Sequence, residues 1–426
     1  MVYGLAYIAP TAPLSTLYFV WDAANGLIVL AYVLGAICMY FTARSYATMS
    51  DAVQSAGSVY GFARFALGQS AGFIAGWLIL LDYLLIPALV YVLMSVALGT
   101  LIPGIDRGIW IVLLVAVTLA INWFGVTVTS RVNYVSVGVQ LAVMLLLLGC
   151  GVVALYSGKG SGGLTLAPVY SAAAFDAGRV FTATSICVNA FLGFDAISTL
   201  GEEVRSDDRR IIGKAIITVL LLAATLFVIA SWVLGNLMVG FTVKDPAAGV
   251  YEVAAATIGP WMALLVAWCF ATVVGVTNAL PMQVGVARVL FAMGRDRQLP
   301  GALALVHPRW GTPWVGMLAT AAISLTVAFA MRNELDQLAS LVNFGALCGF
   351  LLLHLSVLVR FGIRGAEPRW FVHRIVPVCG IAVVLAVLSG MSSLAIRVGL
   401  AWLAVGIVYG AVLRTRGRPP AVPVGK

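Results

Sequence analysis

The chain has 426 residues, of which 62% are hydrophobic and only 10% are charged. A soluble domain carries roughly 25% charged residues, so this composition excludes an ordinary soluble protein. Apolar runs of about 20 residues, the length that crosses a bilayer as a helix, recur along the chain. They do not alternate as the strands of a barrel would. We therefore predict an all-α polytopic membrane protein.

Twelve hydrophobic segments are predicted, and we number them in chain order. The first segment begins almost at Met1 and lacks a basic region followed by a cleavage site, so it does not resemble a signal peptide. The approximate ranges are 2–20, 27–43, 71–98, 109–126, 132–156, 180–200, 211–239, 260–290, 314–331, 337–359, 375–389 and 394–413.

The loops between these segments divide the basic residues unevenly. If the N-terminus is cytoplasmic, nineteen Lys and Arg lie inside and six lie outside. Cytoplasmic loops carry the excess of basic residues, so both termini are predicted to be cytoplasmic. The same distribution accounts for the net charge of +9 without any binding of nucleic acid.

Segments 1 and 6 are both interrupted. Segment 1 contains Pro10 and Pro13, which lack the amide donors that a helix needs. Segment 6 contains Gly193 and Asp195 near its centre. Simple kinks are one explanation, because proline and glycine are common in membrane helices. However, two breaks five segments apart are what an inverted repeat of five helices would produce, and such a pair marks a transporter's binding site.

Asp82 and Asp195 are the acidic residues that fall within membrane-length apolar segments; the other fourteen lie in loops or at segment edges. A carboxylate in hydrocarbon needs a cavity, a partner or a proton. The two positions therefore indicate a polar path that handles cations or protons. The six cysteines form no CxxC motif, and there are three histidines, so neither a metal site nor a cofactor is expected.

Three stretches resemble the amino acid–polyamine–organocation permeases, in the same order along the chain. Residues 193–204 read GFDAISTLGEEV, residues 56–63 read AGSVYGFA, and residues 287–300 read ARVLFAMGRDRQLP, followed by HPRWGTP at 307–313. Within that family, GLAYIAP at 4–10, LDYL at 81–84 and FLGFD at 191–195 are most similar to bacterial putrescine importers.

The resemblance implies twelve transmembrane helices in a leucine-transporter-like fold with alternating access. Two inverted five-helix repeats would occupy residues 1–157 and 179–360. Helices 11 and 12 would occupy 375–414, before a cytoplasmic tail at 415–426. Members of the family usually carry a cytoplasmic tail before helix 1, whereas this chain begins within that helix. A late start codon or a truncation would account for this; if Met1 is the true start, a weaker inner gate near helix 1 is expected.

Two departures from the family pattern concern the substrate and the coupling ion. Amino-acid members use free amides in a Gly-Ser-Gly-like break to hold a carboxylate; here two prolines remove two donors, which favours a diamine. Proton-coupled members often carry a lysine on helix 5, and the resemblance places Gln140 there. Because Gln140 cannot carry charge, any coupling must use another group.

The substrate-binding residues follow from the residues and the resemblance together. Asp82 would bind an amine or carry a proton, although a structural pairing is the alternative. Asp195 would lie near the substrate or instead cap the second half-helix. Asn278 would face the substrate or cross-link helices. Tyr83 would contact the substrate's cation through its ring, or only pack against other helices. The carbonyls of the first break would face an ammonium group; its residues are Ala9, Pro10, Thr11 and Ala12. The residues that flank the second break are Asn189, Phe191, Gly193 and Phe194.

The loop after segment 6 carries both signs of charge. Glu202, Glu203 and Arg205 would form ion pairs of a cytoplasmic gate, or belong to a solvated, charge-balanced loop.

The leading hypothesis is a secondary active transporter in the cell (inner) membrane that imports a polyamine such as putrescine, or an amino acid, with protons. An amino acid permease or exchanger is the alternative, and an amine-sensing membrane receptor without transport is an alternative of a different class. No nucleophile–base pair or metal spacing indicates an enzyme. Two mirrored breaks suit alternating access better than a channel.

Overall fold

The computed structural model describes residues 8–53, 58–124, 130–195, 197–198, 210–295, 298–365 and 369–415. Within these ranges every regular element is helical, which confirms the predicted all-α class. The α-helices are α1 (Leu17–Ala23), α2 (Ile28–Ala52), α3 (Ser58–Leu67), α4 (Gln69–Leu101), α5 (Arg107–Trp123), α6 (Ser130–Tyr156), α7 (Ala177–Cys187), α8 (Ile211–Met238), α9 (Gly249–Thr257), α10 (Pro260–Trp268), α11 (Leu280–Arg295), α12 (Trp314–Ala330), α13 (Leu335–Val357), α14 (Val376–Ser389) and α15 (Ser393–Thr415).

Shorter helical turns join several of these helices. The 3-10 turns are Ala12–Ser15, Val188–Phe191, Pro246–Ala248 and Gly301–Ala304. The π-helical segments are Cys269–Ala279, between α10 and α11, Leu358–Ile363, after α13, and Phe371–Ile375, before α14.

In the part of the chain that the structure describes, eight helical stretches are long and apolar enough to cross a bilayer. Two shorter apolar helices, Arg107–Trp123 and Trp314–Ala330, accompany them. This pattern is consistent with a polytopic membrane protein. The long stretches are Ile28–Ala52, Gln69–Leu101, Arg131–Tyr156, Ile211–Met238, Pro260–Arg295, Leu335–Ile363, Phe371–Ser389 and Ser393–Leu413.

The predicted boundary of segment 2 was wrong. We expected the segment to end near residue 43, but α2 continues to Ala52. Its last turns read as a polar loop in the sequence, yet Ser45, Tyr46 and Ser50 are buried in the bundle. Packing against other helices therefore extends α2 beyond its hydrophobic run. The structure also adds two helices that were not predicted, α3 and α9.

Glycines let the central helices approach one another closely. The helix α2 packs along α8, and α4 packs along α13. A Cβ atom on Gly213 of α8 would lie 2.8 Å from the Cβ of Ala47 on α2. Likewise, a Cβ on Gly345 of α13 would lie 2.7 Å from the backbone nitrogen of Asp82 on α4. Asp82 is thus held where two long helices touch.

Candidate functional site

The break in segment 1 lies at Ala9 and continues to Thr16. Ala9 has a φ of 57°, a left-handed conformation that is unfavourable for an alanine. The 3-10 turn Ala12–Ser15 follows, and α1 begins at Leu17. The segment is therefore interrupted at the place that the two prolines indicated.

The break in segment 1 leaves few amides for a ligand. Pro10 and Pro13 have none. The amide of Ala12 donates to the carbonyl of Ala9 at 2.8 Å, and that of Leu14 donates to Thr11 at 3.0 Å. Four of the five residues from 10 to 14 therefore have no amide to offer a carboxylate. On the acceptor side, the Ala9 and Thr11 carbonyls accept these bonds, and the Ala12 carbonyl accepts one from Ser15 Oγ.

A chain of neutral polar groups joins the break to two other helices. Thr11 Oγ1 donates to Gln140 Oε1 at 3.2 Å, and Gln140 Nε2 donates to Ser136 Oγ at 3.0 Å. Ser136 Oγ in turn donates to Thr277 Oγ1 at 3.3 Å. All four side chains are buried. We call Thr11, Gln140, Ser136 and Thr277 the polar chain; it ties segment 1 to α6 and to the π-helical segment Cys269–Ala279.

The break in segment 6 has a different composition. The helix α7 ends at Cys187, and the 3-10 turn Val188–Phe191 follows. Gly193 then takes a φ of 114°, which a residue with a Cβ rarely adopts. The Gly193 amide donates to Asp195 Oδ1 at 3.2 Å. Asp195 thus satisfies a backbone amide that precedes it in the break; most residues of the half-helix that it would cap lie outside the described residues, so the capping role stays a prediction.

The second carboxylate oxygen of Asp195 faces α2. Tyr46 Oη donates to Asp195 Oδ2 at 3.5 Å, the long limit of a hydrogen bond. The Tyr46 ring packs against Phe62, Phe194 and Phe350, with centroids 6.1, 5.8 and 5.9 Å away. The Tyr46 ring therefore lies among aromatic side chains, and the Asp195 side chain that its hydroxyl reaches is half-buried.

Asp82 lies close enough to interact with Asp195. Asp82 is only 7% exposed, and its Oδ1 has no hydrogen-bond partner among the described residues. The two carboxyl groups interact electrostatically, and both interact with Tyr46, as does Tyr83. We call Tyr46, Asp82, Tyr83 and Asp195 the acidic cluster. The structure thus brings together the two acids that the sequence placed within apolar segments.

The other predicted residues occupy varied surroundings. Asn189 is half-buried, whereas Phe191 and Phe194 are fully buried. The Phe191 ring packs 6.3 Å from Tyr32 and 5.1 Å from Phe227. Asn278 is buried in the π-helical segment, next to Thr277 of the polar chain. The gate residues Glu202, Glu203 and Arg205 lie outside the described residues.

Sequence reasoning missed Tyr46, Ser136 and Thr277. Ser136 lies four residues before Gln140, so the pair could have been found as two polar residues on one helical face. Thr277 stands next to a candidate that was named. Tyr46 gave no such signal, because it follows the end that we predicted for segment 2.

The arrangement can compensate positive charge. Asp82 is almost fully buried and Asp195 is half-buried, so their carboxylates would repel each other unless a cation or a proton compensates their charge. No group of three or more His, Cys, Asp or Glu side chains that could hold a metal ion occurs in the described ranges. An organic ammonium group or protons fit the acidic cluster, and cation–π contact with Tyr46 or Tyr83 would add to the attraction.

Comparison with known proteins gives a consistent result. The chain is 32% identical over 424 residues to the low-affinity putrescine importer PlaP of Escherichia coli strain K12, covering 98% of this chain and 92% of that protein. It is 31% identical to the branched-chain amino acid permease BcaP of Bacillus subtilis, covering 91% and 85%. It is 26% identical to the methylthioribose transporter of Bacillus subtilis, covering 81% and 75%.

These relatives are membrane transporters rather than enzymes, and the resemblance to the amino acid–polyamine–organocation permeases, including the putrescine importers, is confirmed. The family model described as amino acid permease matches residues 1–412, nearly the whole chain. The protein therefore belongs to the amino acid permease family.

Proposed function

We propose that this permease imports a small polyamine such as putrescine across the inner membrane, coupled to protons, by alternating access. The observation that carries the proposal is the Asp82 carboxyl, which is 7% exposed and has an oxygen without a partner among the described residues. Burying a carboxylate without a partner costs several kcal/mol, so a structural role alone leaves that cost uncompensated. An ammonium group of the substrate would compensate it.

The small number of free backbone amides at the break in segment 1 favours an amine as the substrate over an amino acid. Since residues 10, 12, 13 and 14 offer no amide to a ligand, a substrate carboxylate would find few donors there. We propose that the carbonyls of Ala9, Pro10, Thr11 and Ala12 face the second ammonium group, because a carbonyl oxygen with one bond can accept another. The relative PlaP is a putrescine importer, which agrees with this choice.

For the coupling proton we propose the acidic cluster rather than helix 5. Gln140 is neutral, and its amide is engaged at both ends by Thr11 and Ser136. Asp82 and Asp195, by contrast, are two acids that interact electrostatically. A proton held between them in the absence of substrate, and released when a diamine enters, keeps the site's charge balanced in both states.

The architecture that we propose has twelve transmembrane helices in two inverted repeats, 1–157 and 179–360, followed by helices 11 and 12 at 375–414. Two features support it. The breaks in segments 1 and 6 are five segments apart, and α2 and α8, the helices of segments 2 and 7, pack along each other. The distribution of basic residues supports cytoplasmic termini. Glu202, Glu203 and Arg205 are proposed as the inner gate.

A second candidate substrate is an amino acid, with the protein acting as a permease or exchanger. The 31% identity to the branched-chain amino acid permease BcaP favours it. The two candidates differ in whether the break in segment 1 must hold a carboxylate. An amine-sensing receptor without transport remains a different class, in which saturable binding would occur without accumulation.

Radiolabelled uptake separates these functions. The purified permease is reconstituted into vesicles with an imposed pH gradient, and putrescine or a branched-chain amino acid is supplied outside. We expect putrescine accumulation that collapses when a protonophore removes the gradient. If the amino acid accumulates and putrescine does not compete with it, the proposal that putrescine is the substrate is wrong. Saturable binding of putrescine with no accumulation would contradict transport, and accumulation insensitive to the protonophore would contradict proton coupling.

A further inference from the structure

An apolar groove of about 600 Å³ lies on the outside of the helix bundle, between α2 and α8. Five residues of α2 between Val33 and Phe41, and six residues of α8 between Leu220 and Ile229, line it. Its volume lies within the range of sites for small molecules. Its edges include exposed apolar side chains such as Ile37 (42%) and Leu221 (49%). The groove is therefore open toward the surface that the bilayer covers.

Inside the groove there is little for a polar ligand to bind. Ala36 and Ala224 are its small lining residues, and Thr225 already donates to the Leu221 carbonyl at 2.9 Å. Tyr40 supplies the other hydroxyl among the lining residues. A hydrocarbon chain is the ligand that such walls fit, since it needs dispersion contacts and no hydrogen bonds.

One end of the groove is basic. Arg44 follows Ile37 by seven residues on α2, and Lys214 precedes Leu221 by seven residues on α8. Seven residues are two helical turns, so both positions continue the faces that line the groove. The helices touch at this end, since a Cβ on Gly213 would lie 2.8 Å from that of Ala47. Arg44 and Lys214 are thus placed on either side of one crossing.

The charge at this end is mainly positive. The Arg44 side chain is half-buried, and the Lys214 side chain is exposed and already takes part in an interaction within the protein. Arg210 adds a third basic residue one turn before Lys214, whereas Asp51 is the acidic residue closest to the crossing in the described part of α2. Arg44 is about 4.5 Å along the helix from Phe41, and Lys214 is about 9 Å from Leu220. Their long side chains can therefore reach a headgroup above the groove.

We infer that this groove binds an anionic phospholipid, with an acyl chain between α2 and α8 and its phosphate at Arg44 and Lys214. Basic pockets between transmembrane helices are known to bind anionic headgroups. The site has a special position, because α2 contacts the turn Val188–Phe191 and α8 contacts both Val188–Phe191 and Ala12–Ser15. The lipid lies against the two helices that support both breaks.

Melting curves and native mass spectrometry of the purified full-length protein test this inference. Phosphatidylglycerol or phosphatidylcholine is titrated into the delipidated protein. We expect phosphatidylglycerol to raise the melting temperature and to remain bound, and phosphatidylcholine to do neither. The double variant Arg44→Gln with Lys214→Gln should bind phosphatidylglycerol about 30-fold more weakly. Ala224→Leu, which fills the groove, should also weaken binding. If Ala224→Leu fails to fold, Thr225→Phe fills the groove from an exposed position instead.

Matched controls distinguish the groove from the rest of the membrane surface. Arg364→Gln removes an exposed basic residue outside the groove, and Ala322→Leu enlarges an exposed alanine of α12. Both should bind phosphatidylglycerol as the original protein does. The inference is overturned if the two lipids stabilise equally, if the controls lose as much binding as the groove variants, or if inorganic phosphate alone reproduces the stabilisation.

Discussion

The acidic cluster and the polar chain each lie beside one of the two breaks, but they differ in whether their polar atoms have hydrogen-bond partners. In the polar chain, Thr11, Gln140, Ser136 and Thr277 bond to one another in sequence and carry no charge. In the acidic cluster, Asp82 keeps an oxygen without a partner among the described residues, beside a second acid. One arrangement is complete without a ligand, and the other is not.

This difference indicates that the polar chain stabilises the structure and that the acidic cluster binds a ligand. A buried polar network whose members are satisfied makes a structure rigid and unique. A buried charge without compensation persists only where a ligand or proton supplies the missing partner. We therefore assign stability mainly to the polar chain and substrate and proton binding mainly to the acidic cluster. The predictions below test that division.

The largest effect is expected for Asp82→Asn. If Asp82 binds the substrate's ammonium group, its loss should lower putrescine uptake at least about 100-fold, because breaking a buried ion pair costs several kcal/mol. The melting temperature should stay the same or rise, since asparagine has the same size and the Asp82 Oδ1 that it replaces has no hydrogen-bond partner among the described residues. Uptake and melting are measured on the same preparation.

The matched control for Asp82→Asn is Asp22→Asn, the same change at an exposed position of α1. It should leave both uptake and melting unchanged. Uptake near the original level in Asp82→Asn would show that the residue is structural and that the cation binds elsewhere.

The sequence predicted the two breaks and the two acids well, for a simple physical reason. Prolines, glycines and carboxylates are costly in a membrane helix, so each stands out against an apolar background. The all-helical class and the positions of most long helices followed from hydrophobic runs alone. These features are local, so each is visible in a short stretch of one sequence.

The contacts within the site could not be predicted in the same way. The electrostatic interaction of Asp82 with Asp195 depends on how α4 and segment 6 pack. The approach of Gly345 to the Asp82 backbone depends on how α13 packs on α4. Tyr46 lies in a stretch of polar and small residues, so hydropathy alone placed the end of segment 2 before it, although α2 continues to Ala52. The roles of Asn189 and Asn278 stay predictions, because burial does not show what their amides bind.

The next effect in size is expected for Gln140→Leu. The apolar side chain would leave Thr11 and Ser136 without their partner, which costs about 1–3 kcal/mol of stability. The melting temperature should fall by several degrees, while the affinity for putrescine measured on the folded protein should change less than twofold. Gln69→Leu, at an exposed position, is the control and should leave the melting temperature unchanged. A loss of putrescine affinity without a loss of stability would place Gln140 in the site.

A smaller effect is expected for Tyr46→Phe. The change removes the hydroxyl that reaches Asp195 at 3.5 Å and keeps the ring against Phe62, Phe194 and Phe350. A hydrogen bond to a charged group contributes about 1.5–3 kcal/mol at good geometry, and this one is long, so we expect about a fivefold loss of putrescine affinity.

The control for Tyr46→Phe is Tyr91→Phe, an equally buried tyrosine whose hydroxyl bonds to Thr118 at 2.6 Å. Tyr91→Phe should lower stability without changing affinity. Equal affinities for Tyr46→Phe and the original protein would remove Tyr46 from the acidic cluster's function.

The smallest effect is expected at the break in segment 1, for Ala9→Gly. Ala9 has a φ of 57°, which costs an alanine about 1 kcal/mol or more and costs glycine almost nothing. The glycine gains freedom in the unfolded chain, so the net stabilisation should be a few tenths of a kcal/mol to about 1 kcal/mol. Ala12→Gly, in the 3-10 turn that follows, should lower stability instead. If Ala9→Gly lowers the melting temperature as Ala12→Gly does, the left-handed conformation of Ala9 is not a source of strain. The polar chain alone would then hold the break in its conformation.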